Sequence, residues 1–174
     1  MIAADRKTLT PAQRRQLVTS PAGWIACGFG SGLVPKAQGT AGSLLALLPW
    51  LWMRLWSLPT YALAVAVVFL VGTWACHVAG RRLGVEDHRA LVIDEFVGQW
   101  IALVPALAGP WWMVLAGFVL FRLFDVGKPW PIGWFDRRLK GGLGVMVDDV
   151  LAGAFAAVAL GLLARAAGVA LPWS

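Results

Sequence analysis

The sequence predicts an all-α fold: a multi-helix membrane protein whose transmembrane or interfacial helices are short. Of its 174 residues, 59% are hydrophobic and only 14% are charged, a balance that soluble globular proteins rarely have. Two runs of 26 residues without a charged side chain, 55–80 and 96–121, point the same way. The length fits one domain, so residues 1–174 are predicted to form a single domain.

The first 21 residues are predicted to be a polar arm on the cytoplasmic side. They contain no apolar segment that could serve as a signal peptide or a span. The first apolar segment, 41–53, has 13 residues, which is short for a full crossing. It therefore fits a short transmembrane, interfacial or buried helix.

Residues 59–80 give the strongest predicted span, because one helix of this length crosses the roughly 30 Å hydrocarbon core. The run 96–121 is broken by a Gly-Pro pair at 109 and 110. This pattern predicts a tight helical hairpin whose charged flanks extend its two helices. The last apolar segment, 150–173, is interrupted by Arg165.

Charge placement predicts which ends of these segments face the cytoplasm. With the N-terminus inside and all five segments crossing, thirteen of the fifteen Lys and Arg residues face inward, as the positive-inside rule expects. All nine acidic residues also fall on that side. We therefore expect the carboxylates to converge at the cytoplasmic face, and any active site to lie there.

The net charge of +6 alone would suit a nucleic-acid partner. The eleven tryptophans, however, lie mostly in or beside apolar runs, as interfacial anchors do. The expected partner is therefore a lipid bilayer and not nucleic acid. Nothing in the sequence indicates an oligomeric state.

Three polar stretches stand at the ends of the apolar segments. In GFGSGLVPKAQGTAGS (28–43), glycines allow close backbone approach, and Lys36 and Thr40 offer donors. A helix beginning near Thr40 to Ser43 would add backbone N–H groups for a phosphate. A flexible entry loop explains the same stretch equally well.

The second stretch, EDHRALVIDEFVG (86–98), combines Asp87 and His88 with the pair Asp94-Glu95. Asp87 and Asp94 would share a face if the segment were helical. One carboxylate at a helix start could simply complement the helix dipole. An exposed loop position is the expected setting of His88.

The third stretch, 121–149, contains Asp125, Lys128 and the pair Asp148-Asp149, which is expected at the head of the last helix. Residues 122–149 are expected to form a loop on the cytoplasmic side. Capping would explain one of the paired aspartates. Asp136 is expected to pair with the neighbouring arginines. Several carboxylates at helix ends, with cations nearby, suit Mg²⁺ and a phosphate, whereas zinc would require thiolates or more histidines.

Four blocks of the sequence, in this order, resemble the phosphatidylglycerophosphatase A family over roughly residues 22–155. They are GFGSGLVPKAQGTAGS, DHRALVIDEFVG, FRLFDVGKPWPIGWFD and GGLGVMVDDVLAG. One departure is Gln38, where the family's first block is expected to have proline. The resemblance implies an all-helical enzyme of the bacterial inner membrane that hydrolyses phosphatidylglycerophosphate to phosphatidylglycerol and phosphate with Mg²⁺.

The resemblance also implies roles for individual residues. Those expected to act in catalysis and to bind the metal are Asp94, Glu95, Asp125, Asp148 and Asp149. Those expected to bind substrate are Lys36, Thr40, Asp87, His88 and Lys128. Direct attack by water is favoured because no Cys-x5-Arg or DxDxT motif is present, with Asp125 as the alternative nucleophile.

Three other functions predict different features from those of this sequence. A CDP-alcohol phosphotransferase would carry an Asp-Gly-x-x-Ala-Arg signature, which is absent. A small transporter or ion-relay subunit would use carboxylates near the middle of its spans, whereas these stand at the ends of apolar runs. A non-catalytic interaction protein would tolerate the loss of each carboxylate singly.

Overall fold

In the computed structural model, which describes residues 8–85 and 87–172, the chain is folded entirely into helices and their connections. No β-strand occurs among these residues. The eight α-helices are α1 (Pro11–Thr19), α2 (Pro21–Ala26), α3 (Gln38–Met53), α4 (Leu58–Leu83), α5 (Ile93–Ala102), α6 (Trp112–Gly127), α7 (Ile132–Arg138) and α8 (Gly141–Ala166). Two short 3₁₀ helices cover Ser31–Leu33 and Val104–Ala106. The all-helical prediction is therefore confirmed.

The predicted arm is not simply an extended polar segment, because its described part is helical. α1 begins with a capping box in which Thr10 and Gln13 satisfy each other's backbone N–H groups. Leu17 is buried, and the Gln13 side chain donates to the carbonyl of Leu83 at 3.2 Å. Residues 1–7 of the arm lie outside the described residues, as does Glu86 of the second stretch.

The strongest predicted span is confirmed as a long apolar helix. α4 has 26 residues, and Ser57 caps its start by accepting from the backbone N–H of Thr60. α8 also has 26 residues, and both helices are long and apolar enough to cross a membrane. Among the described residues these are the two helices that reach this length.

The predicted hairpin is present only in part. α5 ends at Ala102 and α6 begins at Trp112, so residues 103–111, which include the 3₁₀ helix and Gly109-Pro110, join the two helices in place of a tight turn. Both helices are extended by charged flanks. α5 begins at Ile93 and thus includes Asp94 and Glu95 in its first turn. α6 continues past the apolar run to Gly127 and includes Asp125. α5 has only 10 residues, about 15 Å, so it is too short to cross a bilayer alone.

The segment 122–149 was expected to be a cytoplasmic loop, and this expectation was wrong. α6 ends at Gly127, α7 covers Ile132–Arg138, and α8 already begins at Gly141. Asp148 and Asp149 therefore lie two turns inside α8 instead of at its head, so capping explains neither of them. The glycines at 141, 142 and 144 belong to the helix, which packs closely on α4 at Gly142. A Cβ on Gly142 would come within 2.1 Å of the Thr73 carbonyl oxygen.

α8 lies at the centre of the fold and packs most extensively on α5, and also on α6 and α4. The α5–α8 contact is tight enough that a Cβ on Gly153 would approach the Gly98 carbonyl oxygen to 2.4 Å. A Cβ on Gly98 would likewise meet the Asp149 carbonyl oxygen at 2.7 Å. Small residues thus let the two backbones touch, as is common between helices in membranes.

Candidate active site

A polar cavity of about 730 Å³ lies where α3, α5 and α8 begin and α6 ends. Its lining includes all five predicted catalytic carboxylates, Asp94, Glu95, Asp125, Asp148 and Asp149. Three helices, α5, α6 and α8, thus bring together carboxylates that are up to 55 positions apart in the sequence. The convergence of these carboxylates, which the sequence predicted, is present in the structure.

Three helices begin at this cavity without a side chain capping them. The residues preceding them are Ala37, Val92 and Lys140, and none of these forms a side-chain cap. Thr10, Ser20 and Ser57 cap α1, α2 and α4, whereas α6 and α7 also begin without a side-chain cap. Uncapped first-turn N–H groups and the positive ends of three helix dipoles favour an anion in the cavity.

Glu95 is held between α3 and α6. The Ser43 hydroxyl donates to its Oε2 at 2.8 Å, and Arg122 forms an ion pair with the same oxygen. A Cβ on Gly39 would lie 1.9 Å from Oε1, so this position has no room for a side chain beside the carboxylate. Burial, and then the carboxylate of Asp125, raise the pKa of Glu95 to about 6, although Arg122 opposes this change.

Arg122 is a site residue that the sequence analysis missed. Its Nη1 pairs with Glu95, with Asp125 at 2.8 Å, and with the Ser43 hydroxyl at 3.3 Å. Although burial lowers the pKa of Arg122, Glu95 and Asp125 raise it further, so the guanidinium stays charged. The spacing Arg122-x-x-Asp125 on a helix, which puts the two side chains on one face, was the available signal.

Lys128 ends α6 with a left-handed backbone and extends into the other half of the cavity. Its ammonium pairs with Asp148 and, at 2.8 Å, with Asp136. Asp136 is therefore a partner of Lys128, and the expectation that it pairs with the arginines was wrong. Burial lowers the pKa of Lys128, but Asp148 and Asp136 more than offset this, so the pKa is raised.

Asp94 stands in the first turn of α5, where its Oδ1 accepts from the Glu95 backbone N–H at 2.9 Å. Burial, followed by the carboxylates of Glu95 and Asp148, raises the pKa of Asp94 well above its usual range. Asp149 is 3% exposed, and its Oδ2 has no hydrogen-bond partner among the described residues. A buried carboxylate without a partner costs free energy unless a cation binds to it.

The predicted substrate-binding residues are only partly at the cavity. Asp87 lines it, together with Lys128. The described residues between α4 and α5, 84–85 and 87–92, are not helical, so Asp87 does not share a helical face with Asp94 as one hypothesis required. Lys36 and Thr40 are outside the lining, although Gln38 and Gly39 at the start of α3 belong to it. That helix begins at Gln38, slightly before the predicted onset.

His88 was expected at an exposed position, and this was wrong, because it is 2% exposed and outside the cavity lining. Its Nδ1 accepts from the backbone N–H of Ala90 at 3.1 Å. The ring therefore supports the turn that leads from α4 to α5. A polar residue inside a turn of this kind cannot be distinguished from a ligand by sequence spacing alone.

The carboxylates at the cavity are the kind of ligand that a hard divalent cation prefers, but they do not surround a metal ion completely. In the described ranges 8–85 and 87–172, no three acidic, histidine or cysteine side chains are close enough to enclose a metal ion. Mg²⁺ does not need such a cage, because it usually binds one or two carboxylates together with waters and substrate oxygens. The buried, unpartnered oxygens Asp148 Oδ1 and Asp149 Oδ2 are suitable donors.

Comparison with known proteins identifies the family. A family model described as phosphatidylglycerophosphatase A matches residues 24–164. The chain belongs to the phosphatidylglycerophosphatase A family. The resemblance seen in four sequence blocks is therefore confirmed, and with it the assignment of the chain to the phosphoric monoester hydrolases.

Three relatives are similar to this chain over most of their own length. Phosphatidylglycerophosphatase A of Escherichia coli (strain K12) is 44% identical over 146 residues, which cover 84% of this chain and 85% of the relative. The protein of the same name from Haemophilus influenzae is 42% identical over 142 residues, covering 80% and 86%. A Bacteroides thetaiotaomicron relative, named "Putative phosphatidylinositol-3-phosphatase", is 44% identical over 144 residues, covering 75% and 86%. No solved structure is significantly similar to the chain.

Proposed function

We propose that this protein hydrolyses the phosphomonoester of phosphatidylglycerophosphate in a Mg²⁺-dependent reaction, releasing phosphatidylglycerol and inorganic phosphate. The family and the names of the Escherichia coli and Haemophilus influenzae relatives support this substrate. The observation that carries the mechanism is the cavity itself. It combines the five predicted catalytic carboxylates, the cations Arg122 and Lys128 that pair with four of the carboxylates lining it, and three uncapped helix starts.

The first requirement of the reaction is to bind a phosphate dianion beside so many carboxylates. Gln38 and Gly39 at the start of α3 line the cavity, and the uncapped backbone N–H groups of this first turn suit phosphate oxygens. Lys128 and Arg122 add positive charge from two sides. When bound, Mg²⁺ would neutralise the remaining charge and polarise the phosphorus–oxygen bonds.

The second requirement is a nucleophile, for which we propose water. Water would form the new bond to phosphorus as the bond to the glycerol oxygen breaks, and that oxygen leaves as the alcohol after taking up a proton. Asp125 is the alternative nucleophile, but its ion pair with Arg122 at 2.8 Å reduces its nucleophilicity. Trapping of a phosphoenzyme on Asp125 during turnover would contradict the water mechanism.

The site is proposed to face the cytoplasm of a bacterial inner membrane crossed several times by the chain. α4 and α8 would span, and α4 is about 39 Å long, enough to reach both interfaces. Exposed tryptophans support this placement, because Trp52 and Trp111 lie at one end of the helices and Trp130 lies beside the cavity end. The cavity end also carries the cations Arg89, Arg137 and Lys140, in agreement with the positive-inside rule.

The test is phosphate release from phosphatidylglycerophosphate by the full chain purified in detergent, with Mg²⁺ or with EDTA. We expect release with Mg²⁺, loss in EDTA, and loss in Asp94→Asn and Asp148→Asn. Arg165→Gln is the matched control, because it removes a charge from the exposed far end of α8, about 25 Å from Asp148. Release that persists in EDTA, or full activity of both aspartate variants, would contradict the proposal.

A further inference from the structure

The two cations inside the cavity divide its carboxylates into two kinds. Arg122 pairs with Glu95 and Asp125, and Lys128 pairs with Asp148 and Asp136. Within the part of the chain that the structure describes, no Lys or Arg side chain forms an ion pair with Asp94 or Asp149. These two carboxylates therefore stand in a cavity with cations but are not neutralised by them.

Burial makes this difference significant. Asp149 is 3% exposed and Asp148 is 7% exposed, and both line the cavity. Asp149 Oδ2 and Asp148 Oδ1 are buried atoms without a hydrogen-bond partner in the described chain. Since a buried carboxylate oxygen normally has a donor or a cation, these two atoms indicate a ligand that binds from the cavity.

The packing of α5 on α8 directs Asp94 and Asp149 toward the same place. Gly98 and Gly153 lie at the closest approach of the two backbones, since a Cβ on Gly153 would be 2.4 Å from the Gly98 carbonyl oxygen. Asp94 precedes Gly98 by four residues, and Asp149 precedes Gly153 by four. Each aspartate is thus one turn toward the N-terminus on the contacting face of its helix. Both helices begin at the cavity, so the two carboxylates flank the same space between them.

Glu95 lies about 100° around α5 from Asp94, so it points to α3 and α6 instead of α8. There it accepts from Ser43 and pairs with Arg122. Its position is also fixed sterically, because Gly39 leaves no free space beside Oε1. Glu95 is therefore already bound by protein groups, which makes it a poorer metal ligand than Asp94.

We propose that Asp94 and Asp149 hold the divalent cation, whereas Glu95 and Asp125 are positioning residues fixed by Arg122. This inference rests on the proposed function, and it narrows five candidate ligands to two. Two carboxylates match the preference of Mg²⁺ for few protein ligands and several water or substrate oxygens. Arg122 then keeps Glu95 and Asp125 oriented toward the substrate side of the cavity.

The experiment measures Mn²⁺ affinity of the full chain in detergent by electron paramagnetic resonance, without substrate and with Mg²⁺ as a competitor. Asp94→Asn and Asp149→Asn should bind Mn²⁺ at least about 10-fold more weakly than the unaltered chain. Glu95→Gln and Asp125→Asn should bind Mn²⁺ more tightly than either of these two variants while lowering kcat for phosphate release. This separation of metal affinity from kcat is not expected if all four carboxylates are equivalent ligands.

Folding is checked by thermal unfolding with and without Mg²⁺. Each asparagine variant should unfold cooperatively without metal, and only Asp94→Asn and Asp149→Asn should lose the stabilisation that Mg²⁺ gives. Equal loss of Mn²⁺ binding in Glu95→Gln and Asp125→Asn, or retained binding in both Asp94→Asn and Asp149→Asn, would overturn the assignment.

A phosphate-release assay on the same samples separates this inference from the proposed function. Mn²⁺ binding through Asp94 and Asp149 without release from phosphatidylglycerophosphate would support the metal site and contradict the substrate. An unaltered chain that binds no Mn²⁺ and is fully active in EDTA would overturn both. Activity that needs Mg²⁺, with the loss of Mn²⁺ affinity spread equally over all four variants, would overturn the metal assignment alone.

Discussion

α4 and α8 are equal in length and similar in hydropathy, yet they do different work in the molecule. Each has 26 residues and could cross a membrane. In the most apolar 18-residue stretch of α4, only 22% of the residues are buried inside the protein, against 50% in the corresponding stretch of α8. α4 carries no acidic residue, whereas α8 places Asp148 and Asp149 at the wall of the cavity. Length and hydropathy therefore identify a possible span but not its function.

The polar groups of the two helices show the same difference. The Thr73 hydroxyl in α4 donates to the Phe69 carbonyl of its own helix at 2.8 Å. Such a group is satisfied locally and needs no partner from elsewhere. In α8, Asp148 Oδ1 and Asp149 Oδ2 remain without partners in the described chain. Polar groups in a span thus indicate a site when the helix itself cannot satisfy them.

The largest effect is expected from removing a carboxylate of α8. Asp149→Asn should lower kcat for phosphate release by on the order of 100-fold or more, the effect of losing one catalytic electrostatic group. Thr73→Val in α4 should change it less than about 2-fold, because that hydroxyl serves only its own helix. Initial rates at saturating lipid measure both variants. Equal rates for the two would contradict the difference between the helices.

A charge on the lipid-facing side of α4 should have the next largest effect. Leu70 is 67% exposed near the middle of the helix. Leu70→Lys should disfavour insertion by about 2.5–3.5 kcal/mol, which is measured as a smaller fraction of protein in washed membranes. Leu70→Ala is the control and should insert normally. Normal insertion of Leu70→Lys would indicate that this face of α4 does not contact hydrocarbon.

Two glycine substitutions, one in α8 and one in α4, test how tightly each helix packs on its neighbours. In Gly153→Ala, the new methyl group on α8 meets the backbone oxygen of Gly98 at 2.4 Å, so α5 must move. We expect about 1–3 kcal/mol of destabilisation and lower activity, because Asp94 and Asp149 are then displaced from each other. In Gly72→Ala on α4, the methyl group meets the flexible end of Met146 at 3.0 Å, and the cost should stay below about 1 kcal/mol.

Thermal unfolding in detergent measures both glycine variants. Gly161→Ala is a further control on α8, since nothing lies within 4 Å of the added Cβ. It should be neutral or slightly stabilising, because alanine favours a helix over glycine. Similar losses of stability in Gly153→Ala and Gly161→Ala would contradict the close approach of α5 and α8 at Gly153.

The smallest effect concerns exposed side chains. Phe155 on α8 is 38% exposed but still packs against Phe124 of α6, with 5.8 Å between ring centroids. Phe155→Ala should destabilise the protein by about 0.5–1.5 kcal/mol in the same unfolding measurement. Leu70→Ala, whose side chain is mostly exposed, should cost less than this. A larger loss for Leu70→Ala would reverse the assignment of which helix is central.

The sequence by itself determined the features that depend on local composition. It predicted the all-helical class, the long apolar helix α4, an interruption of the apolar run 96–121 and the extension of α5 over Asp94 and Glu95. These follow from apolar run length and from the helix-breaking properties of Gly-Pro, which neighbours in the chain decide. The family followed from four blocks whose order is also a property of the sequence alone.

Only the tertiary structure decided how the polar residues are paired. That Arg122 pairs with Glu95, that Asp136 pairs with Lys128 and that His88 is buried depend on contacts between distant elements. The start of α8 at Gly141 was missed for the same reason, since close packing on α4 offsets the low helix propensity of its glycines. Carboxylates with the same chemistry thus acquire different partners. The crossings between helices decide which side chains meet, and the spacing of residues in the sequence does not specify those crossings.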